Sequence, residues 1–262
     1  GDFYVNLNQF AERDFPVDNS ANQFDLDQPN RVLYKGDKFG YDYNINISKA
    51  AAWAQSVFKL SKVDFFVAGQ VSLTKFHRDG NVRNGLFPTS SFGKGTVNEF
   101  TNYGVKGGVT YKIDGRNYVY INGSYQTRAP YFENVYISPR TRNGQQENVT
   151  SETIYSAEGA YVMNAPKLKI RIGGYYTHFA GAMDVMSFYH DAYQNFVNYA
   201  INGIDKLHFG GEFGVEAKLT STITVNAAAA IGRYYYDSKQ SAVITVDNSS
   251  SILGQQIVYM EN

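Results

Sequence analysis

The chain has no cysteine. That removes disulfides, thiolate zinc sites, iron–sulfur clusters and cysteine nucleophiles together. It has no excess charge of either sign, because 24 Lys and Arg face 24 Asp and Glu. Nucleic-acid binding needs a basic surface, so no nucleic-acid partner is expected. No window holds eighteen consecutive apolar residues, so no membrane-spanning helix is expected. The opening Gly1-Asp2-Phe3-Tyr4 lacks the basic stretch and apolar core of a signal peptide. Neither absence bears on a transmembrane β-barrel, whose strands are apolar only at every second residue. Methionine and tryptophan are scarce, whereas 22 Tyr, 18 Phe and 24 Gly point towards β-structure.

Period-two alternation recurs along the chain. Val63, Phe65, Val67, Gly69, Val71 and Leu73 form one apolar set. Tyr103, Val105, Gly107, Val109, Tyr111 and Ile113 form a second, and Leu168, Ile170, Ile172, Gly174 and Tyr176 a third. Leu207 to Leu219 and Ile223 to Ile231 repeat the pattern. None of these sets contains a charge, and the residues between them carry most of the strand charges. The phase is less clean between Lys49 and Leu60, which predicts a bulge there.

The pattern predicts about ten strands: 3–9, 39–60, 63–77, 100–113, 117–128, 152–163, 168–178, 204–219, 223–236 and 252–260. Short joints at 61–62, 114–116, 164–167 and 220–222 carry turn-type residues. They alternate with long polar connections at 10–38, 78–99, 129–151, 179–203 and 237–251. All the long loops therefore lie at one end. Within 179–203, Val185, Met186, Tyr189, Tyr193, Phe196 and Val197 fall near helical spacing, which predicts a short helix over 184–199. Exposed aromatics on such a loop would suit capture of a sugar or peptide.

Strands this long, with one uncharged apolar face, one polar face and loops of unequal length at the two ends, describe an all-β, antiparallel up-and-down transmembrane barrel. The solvent is the cause. Hydrocarbon cannot satisfy backbone N–H or C=O groups, so only a closed ladder crosses it. Tyr103, Tyr111, Tyr118, Tyr120, Tyr155, Tyr161, Tyr175, Tyr176, Tyr234, Tyr235 and Tyr236 lie near strand ends, where interfacial girdles are expected. A soluble barrel or sandwich with its apolar face inward also explains the alternation, but not the strand length or the one-sided loops.

No catalytic, cofactor-binding or metal-binding residue is assigned. Gly93-Lys94-Gly95-Thr96 lacks the phosphate-loop spacing. His77, His178, His190 and His208 show no metal-ligand spacing. Ser151, His178 and Asp184 could form a hydrolase triad only on paper, because no nucleophile elbow is present. Lys206, His208, Glu212, Glu216 and Lys218 alternate along one strand face and are read as lumen lining. A spacing of four places Glu212 and Glu216 roughly 13 Å apart, too far to act as an acid–base pair alone.

Arg128-Ala129-Pro130-Tyr131-Phe132-Glu133-Asn134-Val135-Tyr136 resembles the Arg-Ala-Pro-x-Leu/Phe-x-Glu-x-Tyr signature of TonB-dependent outer-membrane receptors. In that pattern Arg128, Ala129, Pro130, Phe132, Glu133 and Tyr136 are the matching positions, and their role is structural. Tyr136 to Arg140 and Met183 to Asp191 are similar to receptors of the Bacteroidota branch. The resemblance implies a plugged barrel of 22 strands in the outer membrane of a Gram-negative cell. A scarce solute, glycan or peptide would bind at the outer loops and be imported with energy from TonB. Outer-membrane lipid, TonB and a surface lipoprotein are the implied partners. Residues 1–262 then form a single internal segment of the barrel, with the plug, the TonB-contacting part and the C-terminal strands absent. The alternative is a small ten-stranded outer-membrane barrel acting as a hydrolase or adhesin.

Overall fold

A computed structural model describes residues 20–21, 23–193, 195–246 and 252–258. Eleven strands form one antiparallel sheet, and no α-helix occurs among the described residues. The strands are β1 (Tyr43–Lys59), β2 (Val63–Gly80), β3 (Gly93–Lys94), β4 (Asn98–Lys112), β5 (Asn117–Arg128), β6 (Glu152–Asn164), β7 (Leu168–His190), β8 (Asn195–Lys218), β9 (Thr224–Tyr236), β10 (Gln240–Val246) and β11 (Ile252–Val258). Their order is β1-β2-β4-β5-β6-β7-β8-β10-β11, with β3 beside β2 and β9 beside β8. Successive strands pair up and down, as the alternating short and long joints predict. The sheet does not close on itself among the described residues.

β9 and β10 are two halves of one line along β8. β9 pairs with Lys206–Lys218 and β10 with Val197–Asn202. The line breaks where Asp237 N–H donates to the Asp205 carbonyl at 2.9 Å. There the Ser238 hydroxyl accepts from Asp205 N–H and donates to the Gly203 carbonyl.

Several expectations are corrected. The 179–203 connection is not a loop, and no helix spans 184–199. β7 and β8 run on as a hairpin to His190 and Asn195. The register slips between Phe179 and Ala182 and again between Ala182 and Asp184. Those slips break the two-residue phase, so β-forming Val185, Tyr189 and Phe196 fall by accident near helical spacing. The bulge expected between Lys49 and Leu60 is absent, because β1 pairs with β2 without a break from Tyr43 to Lys59. Ala50, Ala52 and Ala54 on one face and Ala51, Trp53 and Val57 on the other blur the contrast that marks phase elsewhere. The 237–251 connection contains β10. The strand expected at 3–9 lies outside the described residues.

The short joints are tight turns. Leu60 N–H donates to the Val63 carbonyl, Ile113 N–H to that of Asn117, and Leu219 N–H to that of Ile223, each at 2.9 Å. In the second turn Asp114 accepts from the backbone N–H groups of Arg116 and Asn117 and from the Asn117 amide. The Arg116 N–H bond leads in holding its carboxyl below the usual range. A carboxyl depressed on folding stabilises above its unfolded pKa and loses that contribution as pH falls through the folded value. The protection factors of the Arg116 and Asn117 amides, taken against the intrinsic exchange rate at each pH, should therefore fall as pH drops through that value. An Asp114→Ala variant should show the lower protection already at neutral pH.

Candidate functional site: a two-faced wall and a clamped mouth

Cα partners in adjacent strands present their side chains to the same face. The register therefore carries each face across the sheet. Phe65, Val109, Ile121, Gly159, Gly174 and Gly211 succeed one another on the apolar side from β2 to β8. That side is not a core. Val105 is 57% exposed, Ile121 64% and Ile231 81%.

Aromatic rings border this apolar face. Tyr103, Tyr125, Tyr155 and His178 form a row across β4 to β7, with successive centroids 5.9, 5.2 and 6.3 Å apart. At the other margin Phe58 stacks on Phe65 at 4.6 Å, and Tyr111 and Tyr161 lie on the same side. From Tyr103 to Tyr111 the strand advances about 27 Å, or roughly 20 Å of height at a tilt near 40°. Strand charges on this face sit at its upper margin. Lys75 and Glu99 pair at 2.7 Å, and Arg233 lies level with Phe209.

The sequence-based tyrosine girdle is half right in position. Tyr103, Tyr111, Tyr155, Tyr161, Tyr176 and Tyr235 share the apolar face. Tyr118, Tyr120, Tyr175, Tyr234 and Tyr236 point to the polar face instead, because strand ends place adjacent residues on opposite sides. There they make polar contacts. Tyr175 and Tyr234 hydroxyls meet at 2.6 Å, and Arg171 donates to the Tyr120 hydroxyl at 2.7 Å.

Lys206, His208, Glu212, Glu216 and Lys218 all lie on that polar face of β8. Glu216 pairs with Lys169 at 2.9 Å. His208 packs between Phe179 and Tyr234, with ring centroids 5.2 and 5.0 Å away. Lys206 lies over the Tyr236 ring. Glu212 joins Glu158, Arg171, Tyr120 and Tyr175 around a depression of about 110 Å³. The charged ladder is thus one part of a wall of carboxylates, cations and phenols spread over five strands, β5 to β9.

At the long-loop end the polar face turns apolar and is covered. Phe76 is buried with Val135 and Tyr136, and Ile45, Phe100, Phe132 and Val149 pack around them. The Arg128–Tyr136 segment supplies this cover. Arg128 ends β5 and bonds Glu152 on β6, with its guanidinium over the Tyr131 ring. Ala129 and Pro130 release the chain from the ladder, and Phe132–Asn134 forms a 3₁₀ turn. Phe132 and Tyr136 then face the polar side of the sheet, while Glu133 stays exposed. Asn134 donates to the Met183 carbonyl at 2.8 Å, which ties the turn to the β7–β8 hairpin. Burial raises the Tyr136 hydroxyl above its ordinary pKa.

The residue that sequence reasoning missed is Arg78, 1% exposed on β2. Its Nε donates to the Pro139 carbonyl at 2.6 Å. Its Nη1 donates to the Ser91 carbonyl at 2.8 Å and to Asn143 Oδ1 at 2.7 Å. Its backbone N–H donates to the Tyr136 hydroxyl at 3.0 Å, and the guanidinium covers the Tyr43 ring. One side chain thus clamps loops 81–97 and 129–151 to the sheet. The available signal was that Phe76 and Arg78 extend the polar phase of β2 into the next connection. Gly80 is part of the clamp, since a Cβ there would stand 1.7 Å from the Ser91 carbonyl oxygen. Gly80→Ala should therefore expose 81–97 to proteolysis while leaving the β-sheet circular dichroism signal in place.

The paper triad is not assembled. His178 stacks on Tyr155 at the apolar margin, whereas the Asp184 carboxylate accepts from Val185 N–H in the hairpin. Among the described residues no three His, Asp or Glu side chains gather as a metal site. No family model matches the sequence, and no curated protein matches it significantly.

Proposed function

We propose that this chain is wall and mouth of an outer-membrane barrel that imports a scarce solute with energy supplied through TonB. One observation carries the membrane part of this reading. A continuous, exposed apolar face, with its few charges towards the upper margin, spans the sheet between two aromatic margins, while the opposite face carries most of the strand carboxylates and cations. In water that arrangement would leave a large apolar area unburied, which soluble monomers avoid. In a bilayer it removes that area from water and leaves the polar face for an aqueous or protein-filled lumen. The open edges of the sheet call for further strands, since unpaired edges are not tolerated in hydrocarbon.

The transport part rests on the resemblance of Arg128–Tyr136 and on the way that segment folds over the mouth. Phe132 and Tyr136 face the polar side and anchor a cover there. A cover held at the mouth restricts what enters, as selective import requires and free diffusion does not.

The test uses the full-length product of the gene. Membrane fractionation and a gel run with and without boiling should give an outer-membrane band whose mobility changes on heating. A band of unchanged mobility, released from membranes by salt or carbonate, would overturn the barrel reading. Deletion of the gene, or of tonB, should abolish growth on the same scarce nutrient. Growth lost in neither strain on any limiting iron, cobalamin, glycan or peptide source would overturn the import reading.

A further inference from the structure

The neutral chain does not distribute its charge evenly. The short-turn end carries Lys59, Lys62, Lys112, Arg116, Lys167, Lys169 and Lys218 against Asp64, Asp114 and Glu216, an excess of four positive charges. Local pairing consumes little of it. Lys112 takes Asp64 at 2.6 Å and Lys169 takes Glu216 at 2.9 Å. Asp114 is turned into its own loop by the bonds from Arg116 and Asn117. Lys59, Lys62, Arg116, Lys167 and Lys218 are all exposed and make no ion pair among the described residues. The long-loop end differs, for its signs are mixed and paired, as in Lys75–Glu99, Arg83–Asp27 and Arg128–Glu152.

Lys62, Arg116 and Lys167 lie in the turns directly beyond the apolar face, whereas Lys59 and Lys218 end their strands on the polar face, as Cα partners of Asp64 and Thr224. Lys62 precedes Val63 and Lys167 precedes Leu168, both on the apolar face. Long basic side chains next to an aromatic margin can keep their stems on apolar surface and send the charge to the headgroup level. Fixed positive charge at that depth selects anionic lipid.

We infer that the short-turn end of this wall is a binding rim for anionic phospholipid headgroups, formed by the turn residues Lys62, Arg116 and Lys167. The inference rests on the membrane reading above. The rim fixes the vertical position and orientation of the wall, because only one end attracts the anionic surface. It also makes the bound lipid shell depend on salt, since charges at the headgroup level are screened.

Spin-labelled lipid tests this on the full-length protein in phosphatidylcholine bilayers. The fraction of immobilised label is compared for phosphatidylglycerol and phosphatidylcholine probes. The expected result is a preference for phosphatidylglycerol of about two- to fivefold at low salt, falling towards unity at high salt. The triple variant Lys62→Gln, Arg116→Gln and Lys167→Gln should lose most of that preference. Its heat-modifiable mobility should persist, because these three side chains lie at exposed turns. Removing Lys94 from the long-loop end should change nothing. Immobilised lipid without preference, or a preference intact in the triple variant, overturns the rim while leaving the membrane reading in place. No immobilised lipid of either kind overturns both.

Discussion

Under the proposed membrane reading, Ile121→Arg should destabilise the protein by about 2–4 kcal/mol, measured by reversible denaturant unfolding in lipid vesicles. Ile121 lies between the two aromatic margins on the apolar face and is 64% exposed. In water, exchanging so exposed an isoleucine for arginine would change stability little or improve solubility. In hydrocarbon the guanidinium must either be dehydrated or drag water and headgroups inward. The neighbour Asn122 provides the internal comparison, because it points to the polar face and bonds Glu158 at 2.9 Å. Asn122→Arg should cost far less, since its charge would enter a polar wall beside a carboxylate. A large Ile121 effect with a small Asn122 effect locates hydrocarbon on one face of the sheet. Equal small effects would mean that water bathes both faces, and the barrel reading would fail.

Arg78→Met should loosen the mouth by about 2–4 kcal/mol without dissolving the sheet. The loss leaves the carbonyls of Ser91 and Pro139 and the Asn143 amide oxygen without their charged donor. Hydrogen bonds from an ionised donor are the stronger kind, and a buried acceptor left alone carries its full desolvation penalty. Methionine fills much of the volume, so the effect reports donors rather than a cavity. Hydrogen exchange should accelerate in 81–97 and 129–151 together, since one side chain holds both. The ladders of β4 to β6 should stay protected. Arg78→Lys should rescue poorly, because a single ammonium cannot reproduce the fork that reaches both loops. Acceleration confined to one loop would show that the clamp is not shared.

Much of the wall was legible in the amino-acid order. Strand pairing needs no distant information when the turn is two to four residues long, and alternation then fixes which face each side chain takes. The sets from Val63, Tyr103, Leu168, Leu207 and Ile223 therefore landed on one face as read, and the ladder from Lys206 to Lys218 on the other. Legibility failed where the period broke or where both faces look alike. The slips between Phe179 and Asp184 hid half of the β7–β8 hairpin behind an apparent helix. Strand-end tyrosines were all assigned to the interfacial girdles, although neighbours of opposite parity point to opposite faces.

The mouth was a different kind of problem. Arg78 meets Ser91, Pro139 and Asn143 across thirteen to sixty-five positions of chain. No local propensity encodes such a meeting. It follows from laying β2 beside β4 and β4 beside β5, which brings the ends of two long loops over the same patch of Phe76 and Phe100. The amino-acid order by itself determined the strands, the short turns and the separation of an apolar from a polar face, because each is set by neighbours one to four residues apart. Only the tertiary structure decided that the loops fold onto the polar face and that a buried arginine locks them there, because those contacts exist only once the sheet has assembled.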